Sequence, residues 1–394
     1  MNNPIDYRPF GSLLKKVIDN RGRSCPVVES GLPLIATNCI VNSRLYPQYE
    51  KVRYVNAETY SNWFRGHPEP GDMIFVLKGT PGRVAWVPDP VDFCIAQDMV
   101  AIRADEKKIF PKYLFAVLRS SVMQQEIEGL HVGSLIPHFK KGDFDDLQIP
   151  CVEPRLQIYI GEQYFNLSRK IDLLHRQNKT LEAMAATLFR QWFVEEAHED
   201  WKIGVISDLI AILSGFPFKS TTFADSGKYR LITIKAVQDG YLELSNADQL
   251  SEIPPNMPDY CHLKNGDILL SLTGNVGRCC LVDHDDLLLN QRVAKLQPKQ
   301  VRDWAFTYFL FRQTSMKRTL AELAKGTAQA NLSPIETSTM EFVIPPKAML
   351  EKYDEHTTPL LKKVLRNKAQ IKSLEKLRDN LLPKLISGEV RIEV

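Results

Sequence analysis

The stretch that decides the fold is Gly266-Asp267-Ile268-Leu269-Leu270-Ser271-Leu272-Thr273-Gly274-Asn275-Val276-Gly277-Arg278. It matches a stretch that lies 195 positions earlier, Gly71-Asp72-Met73-Ile74-Phe75-Val76-Leu77-Lys78-Gly79-Thr80-Pro81-Gly82-Arg83. Gly, Asp, Gly, Gly and Arg occupy the same five positions in both stretches. The correspondence continues in the same order along the chain, in the pairs Gln97 and Gln291, Gly133-Ser134 and Gly326-Thr327, Ile149-Pro150 and Ile344-Pro345, and Leu181-Glu182 and Leu374-Glu375. The offset stays between 193 and 195, as small loop insertions would produce, so the sequence contains two copies of one unit.

Both copies follow one plan, in which a region of strand and turn patterns precedes a long helical region. We predict domains at residues 1–150 and 201–345, and helical regions at residues 151–200 and 346–394. In each domain Gly-Asp opens a short apolar run, which is typical of a turn leading into a buried strand, and the following glycines indicate a tight turn. Shorter helices fit Pro111–Ser121 and Asp303–Leu323.

Alternating steps of four and three residues select mostly apolar positions in both helical regions. These seam positions are Leu167, Ile171, Leu174, Leu181 and Leu188 in the first region, and Leu360, Val364, Ile371, Leu374, Leu381 and Leu385 in the second. Because the repeat preserves the register, the pattern favours two long helices packed as an antiparallel coiled coil. The alternative is two unrelated surface helices that each pack on their own domain. The predicted fold class is therefore α+β, with an internal two-fold repeat of two mixed α/β domains joined by the two helices.

Single polar residues and prolines interrupt this seam. Asn178 and Asn367 either fix the alignment of the helices at some cost in stability or lie at the edge of the seam without effect. Pro359 suits the first turn of the second helix, and Pro383 should kink or end it.

Composition excludes several classes of protein. The chain has 394 residues, 44% of them hydrophobic, and a formal net charge of +3, which is ordinary for a globular protein of two or three domains. No apolar run is long enough to span a membrane, and residues 1–7 lack the features of a signal peptide, so we expect a cytoplasmic protein. Seven cysteines without a Cys-x-x-Cys pattern indicate reduced, buried thiols, and no histidine or cysteine spacing indicates a metal site.

Catalytic motifs are missing from the sequence. It contains no P-loop, no Gly-x-Gly-x-x-Gly that opens a helix and no Gly-x-Ser-x-Gly. Pro345-Pro346 has the wrong flanking residues for the Pro-Pro-Tyr or Pro-Pro-Phe motif of methyltransferases that act on base amino groups. The chain is therefore predicted to be non-catalytic.

Polar side chains surround the repeated glycines, and their types suit DNA binding. Arg, Lys, Asn, Gln and Thr hold phosphates or read base edges, and glycine lets a backbone approach closely. The candidate DNA-binding residues are Lys78, Thr80, Arg83, Gln97, Ser134, His138 and Lys140 in the first copy, and Thr273, Asn275, Arg278, Gln291, Thr327, Gln329 and Asn331 in the second. Each could instead be solvated or stabilise a turn, and Arg83 and Arg278 could be structural. Nine Lys and Arg against three acidic residues between Leu360 and Arg391 indicate a phosphate-facing or partner-facing surface, or a solvated face.

The sequence resembles the specificity subunit of type I restriction-modification systems. The resemblance rests on the two glycine stretches, the two-fold repeat, and two helix ends, Leu181-Glu182-Ala183-Met184-Ala185-Ala186-Thr187-Leu188-Phe189-Arg190-Gln191-Trp192-Phe193 and Leu381-Leu382-Pro383-Lys384-Leu385-Ile386-Ser387-Gly388-Glu389-Val390. It implies that 1–150 and 201–345 are target-recognition domains, each reading one half of a bipartite, asymmetric site in double-stranded DNA, and that 151–200 and 346–394 are conserved helical regions that set the gap.

The resemblance also implies partners. Two modification subunits would supply S-adenosylmethionine and methylate adenine, and restriction subunits would use ATP and Mg for translocation and cleavage, so this chain itself would bind no cofactor and no metal. Two alternatives remain at this point, a stand-alone adenine DNA methyltransferase and a coiled-coil adaptor that binds only protein.

Overall fold

The chain folds into two units. The computed structural model describes residues 6–20, 24–130, 137–324, 331–387 and 389–390. The first unit consists of Met1–Leu174 together with Ile371–Val394, and the second of His175–Gln370. The chain therefore passes from one unit to the other twice, each time within a long helix. The domain boundaries predicted at residues 150, 200 and 345 stay predictions.

Short strands dominate both units. The strands are β1 (Asp6–Pro9), β2 (Leu14–Asp19), β3 (Leu32–Ile35), β4 (Arg53–Val55), β5 (Met73–Val76), β6 (Val84–Trp86), β7 (Cys94–Ile95), β8 (Met99–Ala104), β9 (Gln148–Cys151), β10 (Ile203–Val205), β11 (Ile210–Ser214), β12 (Tyr229–Ile232), β13 (Gln249–Leu250), β14 (His262–Leu263), β15 (Ile268–Ser271), β16 (Cys279–Leu281), β17 (Leu287–Leu289), β18 (Val293–Pro298) and β19 (Glu341–Val343). The α-helices are α1 (Ala57–Asn62), α2 (Pro111–Leu118), α3 (Ser121–Gly129), α4 (Pro154–Arg190), α5 (Trp304–Arg312), α6 (Thr314–Leu323), α7 (Pro334–Ser338) and α8 (Lys347–Ile386).

The two units share one sheet topology. In the first unit an antiparallel sheet has the order β2-β8-β5-β6, a second sheet has the order β4-β3-β7, and β1 pairs with β9. In the second unit the corresponding sheets are β11-β18-β15-β16 and β13-β12-β17-β14, and β10 pairs with β19. The register is also kept, because Met73 faces Trp86 and Ile268, 195 positions later, faces Leu281. The predicted internal repeat is therefore present in the fold.

The strands β5 and β15 are buried on both faces of their sheets. In β5, Phe75 contributes to a core with α2 and α3, whereas Ile74 and Val76 point to the second core beneath β3 and β7. In the second unit Leu270 and Leu269 divide between two cores in the same way. A strand that is covered on both faces has buried side chains at every position, so its sequence lacks the usual polar alternation. In both copies the four residues that follow Gly-Asp are buried in this way.

The long helices pack antiparallel, as the contacts within each unit show. In the first unit Ile160 from the start of α4 and Leu385 from the end of α8 belong to one core, and Ile171 packs with Ile371 further along. In the second unit, near the end of α4 and the start of α8, the Tyr353 hydroxyl donates to the Ala185 carbonyl at 3.0 Å. These contacts exclude two unrelated surface helices. The predicted fold class, two mixed α/β domains joined by two closely packed long helices, is confirmed.

Some local predictions were wrong. The predicted helix Pro111–Ser121 corresponds to α2, which ends at Leu118 and is followed by a further helix, α3. The predicted helix Asp303–Leu323 is a pair, α5 with α6. In this pair the break is Gln313, whose extended backbone (ψ 140°) starts α6. Pro359 lies inside α8 rather than in its first turn, because the helix begins earlier, directly after Pro346. The helix also continues past Pro383 to Ile386.

Candidate nucleic-acid interface

The glycine turn has the same hydrogen bonds in both units. In the first, the Val76 amide donates to the Arg83 carbonyl at 2.9 Å and the Gly82 amide donates back to the Val76 carbonyl at 3.0 Å. In the second, Ser271 exchanges the equivalent bonds with Arg278 and Gly277, both at 3.0 Å. Gly82 and Gly277 have φ values of +87° and +82°, a left-handed conformation that residues with a Cβ rarely adopt. Glycine is therefore required here by the turn itself.

Two further segments of the chain converge on this turn. In the first unit the Leu77 amide donates to the Asp98 carbonyl at 3.0 Å, and the Leu77 carbonyl accepts from the Phe139 amide at 2.8 Å. In the second unit Leu272 makes the matching bonds to Arg292 at 3.0 Å and to the Leu332 amide at 2.7 Å. The structure thus brings together the three segments that carry the predicted DNA-binding residues, once in each unit.

In the first unit the predicted side chains differ in exposure. Lys78, His138 and Lys140 are exposed, and Lys78 and His138 lie opposite each other in a β-bridge. Gln97 and Arg83 are half-buried, and an Arg83 Nη1 lies 3.5 Å from the Ile40 carbonyl. The exposed cations therefore border the turn on the side of residues 137–141.

Thr80 adds a buried polar atom to the same turn. Its Oγ1 is buried, and it has no hydrogen-bond partner among the residues that the structure describes. The Thr273 hydroxyl of the second unit is in the same condition. Both hydroxyls are therefore inaccessible to an external partner in this structure.

In the second unit Asn275, Gln291 and Asn331 are exposed around the turn. Asn331 bridges Thr273 as His138 bridges Lys78. Arg278 is held more firmly, because its Nη1 donates to Gln238 Oε1 at 2.6 Å and its amide donates to Ser271 Oγ at 2.9 Å. The exposed amides, rather than Arg278, are thus the groups free to contact a nucleic acid. The predicted residues Ser134, Thr327 and Gln329 lie outside the described residues.

Sequence reasoning missed Arg292. This exposed cation follows Gln291, and its carbonyl accepts the bond from Leu272 that fixes the segment to the turn. The neighbouring Asn290 is buried, and its Oδ1 accepts from the Arg292 amide at 3.4 Å. The available signal is the cation that directly follows Asn290-Gln291 in the repeated segment.

The repeated aspartate is structural. Asp72 is 1% exposed, and its carboxylate accepts from Arg103 at 2.7 and 3.0 Å and from the Glu69 amide at 2.8 Å. The bond to Asp72 raises the pKa of Arg103 above its usual value. Asp267 accepts from the Lys264 amide at 2.8 Å and pairs with Lys295 at 2.9 Å. The Gly-Asp signal therefore marks a fixed turn and not a ligand site.

The basic face of α8 is only partly free. Lys362, Lys363, Arg366 and Lys376 are exposed. Lys368 pairs with Asp283 at 3.1 Å, and Arg378 is buried and pairs with Asp379 at 2.8 Å. The number of charges in the sequence does not distinguish the exposed cations from those that are paired or buried.

The predicted seam residues lie within the packed helices. Ile171, Leu174, Val364, Ile371 and Leu385 are buried. Half-buried positions are Leu167, Leu181, Leu188, Leu360, Leu374 and Leu381. Their assignment to one continuous seam stays a prediction.

The cysteines form no site. All seven are free and buried, so the predicted burial is confirmed. Burial raises the pKa of Cys94 and of Cys279 to about 12. Within the described ranges no three His, Cys, Asp or Glu side chains are grouped to hold a metal ion, and no helix is long and apolar enough to cross a membrane.

A two-fold repeat of mixed α/β units, joined by two antiparallel helices and carrying the same glycine turn twice, defines the class of protein. The family model of the type I restriction modification DNA specificity domain matches residues 32–183 and 198–375. The chain belongs to this family, which confirms the resemblance inferred from the sequence.

Individual relatives agree with this assignment. The chain is 24% identical over 329 residues to the type I restriction enzyme MjaIX specificity subunit of Methanocaldococcus jannaschii, covering 76% of this chain and 75% of that protein. It is 32% identical over 102 residues to the HindI specificity subunit of Haemophilus influenzae, covering 26% of this chain and 22% of that protein. Its fold is similar to the crystal structure of a type I restriction-modification S subunit from M. genitalium, with a TM-score of 0.58, 17% identity, and coverage of 98% and 97%.

Proposed function

We propose that this chain is the non-catalytic DNA-specificity subunit of a type I restriction-modification complex, in which each unit reads one half of a bipartite, asymmetric site. One observation carries the proposal: each unit brings three polar segments together at the same glycine turn, in a chain that belongs to the DNA specificity domain family. Exposed Lys and His side chains at the first turn, and exposed Asn, Gln and Arg side chains at the second, suit phosphate and base contacts.

The complex would be completed by other subunits. Modification subunits would bind S-adenosylmethionine and methylate adenine, and restriction subunits would use ATP and Mg. This chain would contribute DNA recognition and the surface on which those subunits assemble.

An exchange experiment tests the proposal. Residues 201–345 are replaced by the matching region of a relative with a different target, and methylated adenines are mapped after expression with the modification subunits. We expect one half of the methylated site to change and the other to persist. A change in both halves would contradict two independent readers, and methylation by the purified chain alone would favour an enzyme. Loss of all DNA footprints with partners present would favour a protein-binding adaptor.

We further propose that the two helices set the gap between the half-sites. Helix α4 has 37 residues and α8 has 40, and both join the two units. Removing one facing heptad from each helix keeps the seam in register and shortens both helices by about 10 Å. That length corresponds to roughly three base pairs, so the mapped gap should shrink by up to that amount. A shortened variant that binds well and keeps the original gap would overturn the idea.

A further inference from the structure

A buried arginine in the first unit has no hydrogen-bond partner for its guanidinium among the residues that the structure describes. Arg119 follows α2, and only 7% of it is exposed. Its Nε, Nη1 and Nη2 are all buried without a hydrogen-bond partner among the residues that the structure describes. The guanidinium lies 4.9 Å from the ring centroid of Phe115 and 5.8 Å from that of Tyr164. Aromatic faces attract a cation but do not replace its hydrogen bonds, and a buried charge without partners is costly.

Arg119 faces a cavity of about 330 Å³. A second buried guanidinium, that of Arg378, lines the same cavity and lies 5.4 Å from the Tyr164 ring centroid. Two guanidiniums, 5.8 and 5.4 Å from the Tyr164 ring centroid, therefore border one space. Burial lowers the pKa of Arg119, and the neighbouring Arg378 lowers it further.

A helix N-terminus borders the cavity as well. Ser120 is the N-cap of α3, a helix of nine residues, and accepts from the Met123 amide at 3.2 Å. Ser120 and Ser121 both line the cavity. The first turn of a helix carries a partial positive charge and amide donors, so it favours an anion.

The two carboxylates in the cavity wall make no hydrogen bond to Arg119. Asp379 accepts from Arg378 at 2.8 and 3.2 Å and is occupied by that pair. Glu375 lines the cavity, but the Arg119 nitrogens make no hydrogen bond to it, and burial raises the pKa of Glu375.

In the second unit the matching arginine has hydrogen-bond partners at Nη1, although its Nε is buried without one. Arg312 occupies the position 193 residues after Arg119, and its Nη1 donates to Glu182 at 3.0 Å and to the Tyr308 hydroxyl at 2.7 Å. The equivalent of Tyr308 in the first unit is Phe115, which has no hydroxyl, and the equivalent of Glu182 is Glu375. The first unit therefore keeps the cation, lacks one acceptor and leaves the other unbonded.

We propose that this cavity binds a phosphate group, held between Arg119 and Arg378 at the N-terminus of α3. Guanidinium forks suit phosphate because several of its oxygens accept at once, and the first turn of α3 adds further donors. The inference does not depend on DNA recognition by the glycine turns, so either can fail without the other. The phosphate group could belong to a small molecule or to the DNA backbone.

Thermal unfolding of the full chain tests the proposal. Inorganic phosphate is compared with acetate and with chloride at equal ionic strength, for the wild type and for Arg119→Gln. We expect phosphate to raise the wild-type Tm by about 2 °C or more above both other salts, and we expect R119Q to lose that rise. Lys299→Gln, which removes an exposed charge in the second unit, is the matched control and should keep it.

A second variant protects the test against misfolding of R119Q. Phe115→Tyr copies Tyr308 and supplies the missing acceptor, so it should reduce the phosphate-specific rise by at least about half. An equal rise with chloride, or a rise that both variants keep, would overturn the site. An equal rise with acetate would overturn phosphate in favour of a carboxylate.

Binding of a duplex oligonucleotide of random sequence then separates the two sources of phosphate. If R119Q weakens duplex binding and lowers the salt slope by about one, the phosphate belongs to DNA. If duplex binding is unchanged while the response to inorganic phosphate is lost, the pocket holds a phosphate of a small molecule.

Discussion

In the first unit the buried carboxylate of Asp72 is held by an arginine, Arg103, whereas in the second unit the matching Asp267 is held by a lysine, Lys295. The carboxylate accepts the same backbone amide bond in both units, at 2.8 Å. The two units therefore share a backbone frame while their polar partners differ. Asp72 is 1% exposed, and the Asp267 side chain is 16% exposed, so the first unit depends more on its ion pair.

The contact between the two long helices also differs: it is polar in the second unit and apolar in the first. In the second unit Asn367 Nδ2 donates to Asn178 Oδ1 and to Gln177 Oε1, both at 2.8 Å. The positions related by 193 residues in the first unit are Leu174 and Ile371, which pack together in an apolar cluster. The packing of α4 on α8 thus includes a buried polar pair in the second unit and an apolar cluster at the matching place in the first. A buried polar pair costs stability but permits fewer alignments than an apolar contact.

The largest effect is expected at the aspartates. Asp72→Asn should destabilise the first unit by about 3 kcal/mol, because it leaves the half-buried Arg103 without its main partner. Asp267→Asn should cost the second unit only about 1 kcal/mol, since Lys295 carries a single bond to a more exposed carboxylate. Hydrogen exchange of peptides covering β5 and β15 measures each unit separately. Equal losses of protection in the two variants would contradict the difference.

The asparagine pair gives the next effect. Asn367→Leu should cost about 2 kcal/mol, because it leaves the buried Asn178 amide without its partner. The double variant Asn178→Ile with Asn367→Leu copies the apolar crossing of the first unit, so it should recover at least about half of that loss. Urea unfolding of the wild type, both single variants and the double variant forms the cycle. A double variant that is as unstable as the sum of the single variants would show that the pair does not act as a unit.

The repeat and the glycine turns could be predicted from the sequence because both depend on local backbone conformation. A φ near +85° selects glycine wherever the turn occurs, so the signal appears in the letters themselves. The partners of Asn367 and Arg119 could not be predicted, because they come from residues far away in the chain. The position of Pro359 within α8 could not be predicted for the same reason, because it depends on where the helix begins. The turns before Pro359 are stabilised by the packing of Leu350 and Tyr353 in the core of the second unit.

A smaller effect is expected at the turns themselves. Asn275→Ala should relax the second half-site by about 1–2 kcal/mol without loss of stability, because this side chain is exposed. Arg278→Ala should also disturb the fold, since it removes the bond to Gln238. Lys78→Ala in the first unit should affect only the first half-site. Binding of duplexes that vary in one half-site at a time measures these changes, and a loss of affinity shared by all sequences would identify phosphate contacts instead.

The smallest effect concerns pH and the first unit. His67 stacks on Tyr60, with ring centroids 3.8 Å apart, and its Nε2 lies 3.0 Å from the Tyr60 carbonyl. Burial lowers the pKa of His67, so the folded chain binds fewer protons than the unfolded chain between its lowered pKa and the ordinary value of about 6.5. The free energy of unfolding must therefore rise with pH across that window, and the stabilisation is complete above about pH 6.5 and is lost as the pH falls through the folded pKa.

Replacing His67 by Phe keeps the stack on Tyr60 and removes the titrating group. Tm measured from pH 8 down to pH 5 should therefore fall less for the H67F variant than for the wild type, and the two curves should run parallel above about pH 7. Hydrogen exchange at pH 5.5 should place the difference in residues 57–67, because α1 and the segment after it pack against the ring. A wild-type curve that falls no more steeply than that of H67F would show that protonation of His67 does not oppose folding of the first unit.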